Sequence, residues 1–206
     1  QGLVWSGWLY LMEQRIPDVH ANIERITQIT AAHQIPRLFL LETYMLQAHL
    51  SGLLDDDQAF QTHMMNALEI AEYGVDLYAL GHIRGDLAEW EGKRGNWQAA
   101  AQHTINYIKL HAEKGRDWQT LGALTGVVKH FYLRKGDDAM CVALMGFLQQ
   151  YPQTTRNART EARALLLNEV ARDKLDEAAY QAALDRFQNY SLRQIIAAVI
   201  ADLETV

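Results

Sequence analysis

The 206-residue chain is 49% hydrophobic and 21% charged, an ordinary soluble composition, and its length suits one domain or one stack of repeats. A formal net charge of −6 argues against a protein built chiefly to coat nucleic acid, whose phosphates demand a basic face. The single cysteine, Cys141, cannot form an internal disulfide, and its apolar neighbours Met140, Val142, Ala143 and Leu144 predict a buried thiol.

The first predicted element is the apolar stretch "GLVWSGWLYLM", which lacks the basic leader and cleavage site of a signal peptide. Trp5, Trp8, Leu9 and Met12 crowd this helix, and an apolar patch there invites self-association. The chain opens on Gln1 rather than Met, which is read as a fragment of a longer protein. Ile16-Pro17 divides the segment into a helical pair, 1–34. No apolar run is long enough to cross a bilayer.

A second pair, 35–74, joins "PRLFLLETYMLQAHLSGLLDD" to "DDDQAFQTHMMNALEIAEYG". Phe60, Met64, Ala67, Leu68 and Ala71 fall at the 3–4 spacing of a buried helix face. Asp55, Asp56 and Asp57 read as a helix start that complements the positive end of the dipole. An aspartate-rich metal motif is rejected, because Gln58, Ala59 and Phe60 supply no second acid.

Pairs three and four, 75–115 and 116–152, are copies of one unit. Residues 71–95 over 112–136, a shift of 41, match at eight of twenty-five positions, among them Gly74/Gly115, Asp76/Asp117, Gly81/Gly122, Gly85/Gly126 and Gly95/Gly136. Gly74 and Gly115 fit the left-handed C′ place and Asp76 and Asp117 the following cap. Gly95 and Gly136 end the next helix, with Asn96, Asp137 and (shifting back by 41) Asp55 as caps. The internal glycines predict close approach of a neighbouring helix, or an open groove.

A fifth pair, 153–190, couples "RTEARALLLNEVARD" to "LDEAAYQAALDRFQNY" through Lys174-Leu175-Asp176, with Pro152 as the break before it. Arg156, Arg159 and Arg163 share one face there, a basic stripe. A closing helix, 191–206, has Ser191 as its cap and Leu192, Ile195, Ile196, Val199 and Leu203 on its apolar side. The composition, rich in Ala, Leu, Gln and Glu, and the absence of strand alternation predict an all-α fold of about five hairpins in one domain, 1–206.

"GNWQAA" and "GDDAMC", each opening a second helix, resemble the turn of a tetratricopeptide repeat. The period near forty, with "ALEIAEYG", "KLHAEKGRDWQTLGALTGVVKHFYLRKGDD", "ALMGFLQQY" and "RFQNYSLRQIIAAVI", resembles the C-terminal arm of bacterial STAND-class signalling ATPases and related transcriptional regulators, over residues 36 to 204. The resemblance implies a right-handed α-solenoid in a cytoplasmic, non-catalytic sensory or protein-docking arm. Its partner would be another protein or the upstream domains of its own chain. It also implies a groove on the first helices, lined by Tyr44, Gly85 and Gly126, then Glu89 and His130, then Lys93 and Arg134.

Chemistry is scarce. Gly85 to Gly92 encloses six residues rather than the four of a P-loop, and Arg94 stands where Ser or Thr is needed. Among His20, His33, His49, His63, His82, His103, His111 and His130 no pair is three or four apart, so no metal or other cofactor is expected. The serines at 6, 51 and 191 form no nucleophile elbow. A small-molecule or peptide sensor, holding its ligand at Gly81/Gly85 or Gly122/Gly126, is the alternative. An all-helical enzyme is the remote one.

Overall fold

The computed structural model describes residues 2–32, 37–74, 76–114, 117–150 and 173–206, and these are all-α, with no strand among the described residues. The chain forms two compact units, 1–83 and 84–206. The first holds α1 (Gly2–Met12), α2 (Ile16–Ala32), α3 (Arg37–Leu53) and α4 (Asp57–Gly74), and the boundary falls within α5 (Leu77–Lys93). The second continues with α6 (Trp97–Lys114) and α7 (Asp117–Val127), which runs through a π turn (Val128–Tyr132) into Leu133–Lys135. Then come α8 (Asp138–Gln149), α9 (Glu177–Asp185) and α10 (Leu192–Leu203).

The turns inside successive hairpins share one backbone shape. Gln14, Asp55, Gly95 and Gly136 adopt positive φ, at 57°, 56°, 79° and 78°, so the left-handed positions lie 41, 40 and 41 residues apart. After each, an N–H donates back five residues, Arg15 to Tyr10, Asp56 to Ser51, Asn96 to Glu91 and Asp137 to Tyr132, at 2.8 to 3.0 Å. That bond meets carbonyls the helix end leaves free. After the second and fourth turns the next helix is capped at once: Asp56 accepts from the Ala59 N–H and Asp137 from the Met140 N–H, both at 3.0 Å, whereas the expected cap Asn96 donates its amide to Glu91 at 2.8 Å.

Two expectations are corrected. Asp55 is not the cap but the left-handed residue, and Asp56 caps, because this interval is 40 rather than 41. Gly74 is the last residue of α4 and does not take the left-handed conformation. Asp76 does cap α5, accepting from Tyr78 and Ala79, while Asp117 opens α7, where its charge meets the helix's positive end. Gly115, Pro36, Pro152, the 151–172 part of the fifth pair and Arg156, Arg159 and Arg163 lie outside the described residues.

In the first unit, α4 buries the five residues anticipated, Phe60, Met64, Ala67, Leu68 and Ala71, along its contact with α3. α1 and α2 both contact α3, around Val19, Leu46 and Leu50, with Trp8, Leu11, Ile16 and Ile23 packed on them. Gly7 permits this approach: a Cβ there would lie 2.5 Å from Leu46 Cδ2.

In the second unit, one core gathers Ile105, Ile108, Leu124, Phe131, Tyr132, Phe147 and the fully buried Cys141. Burial pushes the Cys141 thiol up to about 12, as the sequence led one to expect of an inert cysteine. α9 packs on α8 and α10 on α6. Ser191 and Gln194 form a capping box at the start of α10. Ile195, Val199 and Leu203 point inward, each worth roughly 1.5–3 kcal/mol of burial. Tyr132 Oη donates to Asp202 at 2.9 Å, tying the π turn to α10. Burial, and secondarily the Asp202 charge, raises that phenol's pKa.

Candidate functional site

The tight turn at Gly95, followed 41 residues later by its copy at Gly136, puts the two preceding helices in one register. Glu89 and His130 each stand six residues before their turn glycine, and they meet: His130 Nδ1 lies 3.0 Å from Glu89 Oε2. The other carboxylate oxygen, Oε1, accepts from Arg134 Nη2 at 2.7 Å and faces Lys93 Nζ at 3.3 Å. Both carboxylate oxygens are therefore used, in a half-buried setting where only 18% of the Glu89 side chain is exposed. The hydrogen bond from His130 does most to hold the Glu89 carboxyl well below the usual carboxylate range. Burial opposes it, and Arg134 and Lys93 add to the lowering.

The cations are placed differently from the acid. Lys93 and Arg134 have 61% and 46% of their side chains exposed, so the charged heads that Glu89 holds also reach water. His130 lies in the π turn, a local departure from α geometry that is frequent at functional sites. Below the cluster, Asn96 Nδ2 donates to Glu91 Oε2 at 2.8 Å, and Arg94 lies over the Trp90 ring at 4.8 Å.

Four of the seven anticipated residues, Glu89, Lys93, His130 and Arg134, are thus brought together. Gly85 and Gly126 do not open onto a groove. A Cβ on Gly85 would meet the His130 ring at 3.4 Å, and one on Gly126 the Tyr107 ring at 3.0 Å, so the chain's own rings fill the space. Gly122 has nothing within 4 Å. The approach is tight at Gly126, an ordinary contact at Gly85, and absent at Gly122.

Tyr44 belongs to the first unit. The 40-residue interval makes Arg84, not Gly85, its counterpart: Tyr44 stacks on His63 with ring centroids 6.2 Å apart, and Arg84 acts electrostatically on His103, also nineteen residues on. Asn22, nineteen after Leu3, donates to the Leu3 backbone carbonyl at 3.3 Å, at the same spacing in the first hairpin. Tyr44 lines an open cleft of about 600 Å³ with Leu40, Asn66, Glu69, Ile70 and Tyr73.

The same position six residues before the turn pairs α1 with α3. Trp8 and His49 make an edge-on ring contact with centroids 5.1 Å apart, and Trp8 Nε1 donates to Glu42 at 3.4 Å. The N-terminal crowd of apolar residues therefore divides: Trp8 packs inward, while Trp5, Leu9 and Met12 are exposed. Among the described residues no group of three His, Cys, Asp or Glu side chains converges as metal ligands do, and no helix is long and apolar enough to cross a membrane. No protein-family model, curated protein or solved structure matches the chain.

Proposed function

We propose that this chain is a non-catalytic interaction module, a right-handed stack of about five tetratricopeptide-like hairpins with a closing helix. Its setting is the docking or sensory arm of a larger cytoplasmic bacterial signalling or transcription-regulatory protein of the STAND type. The observation that carries the reading is the pair of contacts between residues 41 apart, Trp8 with His49 and Glu89 with His130, each at one place in the repeat. Hairpins placed side by side in a constant register bring equivalent residues of successive first helices together, and a row of such residues is a binding surface.

The partner surface centres on Lys93 and Arg134, anchored by Glu89 and His130. Two exposed cations share one acid, which leaves a net positive edge on an acidic chain, so the partner is an acidic segment of another protein or of the parent's own domains. Arg134 has a planar fork of donors, of which one meets Glu89, suited to a second carboxylate. Fluorescence anisotropy with labelled oligoglutamate and oligolysine peptides tests this. Oligoglutamate should bind, with affinity falling as salt rises, and Lys93→Glu with Arg134→Glu should weaken it at least about tenfold. Binding of oligolysine alone, or of oligoglutamate equally to both proteins, would contradict the assignment.

The Tyr44 cleft supports a second reading, a small-ligand or peptide sensor. Two tyrosine rings, two aliphatic side chains and the Glu69 carboxylate suit an organic cation with an apolar body. A thermal-shift screen of aliphatic and aromatic amines should raise the melting point for this chain but not for Glu69→Gln with Tyr44→Ala.

A further inference from the structure

We propose that the outer face of the first hairpin, built on Trp5 and Leu9, docks another helical hairpin of the same repeat type. Relative to the left-handed turn residue, Trp5 and Leu9 stand nine and five places earlier. Before Asp55 the same places are held by Leu46 and Leu50, before Gly136 by Val127 and Phe131, and before Gly95 by Asp86 and Trp90. Leu46 and Leu50 are 0% and 4% exposed, and Val127 and Phe131 1% and 0%, whereas Trp5 and Leu9 are 70% and 57% exposed. These two places are buried in the second and fourth hairpins, half-buried at Asp86 and Trp90 in the third, and open to water in the first.

What covers those positions names the occupant. Leu46 and Leu50 are sealed by the preceding hairpin, through Trp8, Leu11, Val19 and Ile23. Phe131 is met by Trp97, from the helix before it, at 5.9 Å between ring centroids. In each case a helix of the preceding pair supplies part of the cover. α1 bears no charged residue from Gly2 to Met12, so covering its outer face dehydrates no ion, and Met12, 78% exposed, extends the apolar stripe by one turn. A small residue on the incoming helix, opposite Trp5, would repeat the approach Gly7 allows at Leu46. Continuity with the α1–α3 contact therefore selects a hairpin over a single strand or a lipid surface.

The inference rests on the stacking part of the proposed function and not on the charged cluster, so the oligoglutamate experiment can fail without touching it. The test is a chain carrying a second copy of residues 2–36 ahead of Gly2. In the unduplicated chain Trp5→Ala should leave the melting point within about 1 °C. In the duplicated chain the same substitution, at the Trp5 that precedes the original α2, should lower it by several degrees, and amide exchange across that α1 should slow at least tenfold relative to the unduplicated chain. Equal responses to Trp5→Ala in both chains, with unchanged exchange, would overturn the proposal. So would a dimer of the unduplicated chain in sedimentation that Trp5→Glu dissolves, because the occupant would then be a second copy. If the direct duplication does not fold, the hairpin joined through a flexible Gly/Ser linker is read against the same outcomes.

Discussion

The contacts made six residues before the turns, one in each unit, join equivalent backbone positions with opposite chemistry. In the first unit Trp8 and His49 meet as rings, beside an apolar cluster of Val19, Leu46 and Leu50. In the second, Glu89 and His130 meet as an acid and an imidazole, and the acid also holds Lys93 and Arg134. The backbone register is a constant set by the turns, while the side chains at that register decide whether the edge is dry or charged. Apolar burial and surface charge can therefore be varied separately along such a chain.

The largest effects should come from the positions that differ only in cover. Leu46→Ala, at a fully buried site, is expected to cost about 2–5 kcal/mol and Phe131→Ala about 3–5 kcal/mol in urea unfolding. Trp5→Ala and Leu9→Ala, at the equivalent exposed places, should stay within about 0.5 kcal/mol. A cost of 2 kcal/mol or more at Trp5 would remove the contrast.

The turns sharpen the comparison at a smaller scale. Gly95 and Gly136 have open space where a Cβ would sit, so Gly95→Ala carries only the backbone cost of a left-handed residue, about 1–2 kcal/mol. Gln14 bears that cost already, and Gln14→Gly should raise stability by up to about 1 kcal/mol. A neutral Gly95→Ala would show that the left-handed turn is not kept in solution.

The smallest effects are those of pH. Burial lowers the pKa of His63, His103 and His111 below that of an ordinary imidazole, and His111 has both ring nitrogens buried without a hydrogen-bond partner. The unfolded chain therefore takes up protons that the folded chain refuses, and stability should fall as pH drops below about 6.5. Replacing His111 by Phe should flatten the fall between pH 7 and 5.5, and a steeper fall would reverse the sign assigned here.

The hairpins were legible because apolar residues recur at helical spacing and because glycine marks two of the four left-handed turns. The other two use Gln14 and Asp55, which give no such sign, and the 40-residue interval at Asp55 moved the cap and Tyr44 by one place. The Glu89–His130 level was readable since both of its turns are glycine and 41 apart. The filling of Gly85 and Gly126 was not, because the rings that fill them are His130, from the following hairpin's first helix, and Tyr107, from α6. The bond from Tyr132 to Asp202, seventy residues apart, leaves no periodic trace.

The measurement that bears most directly on the constant register is a double-mutant cycle on Glu89 and His130, from Glu89→Gln, His130→Asn and both, by urea unfolding at neutral pH. Contact between equivalent residues of neighbouring hairpins predicts a coupling of about 0.5–1.5 kcal/mol, lost on acidification below the usual carboxylate range as Glu89 takes up its proton. Single effects that simply add, to within about 0.3 kcal/mol, would contradict it.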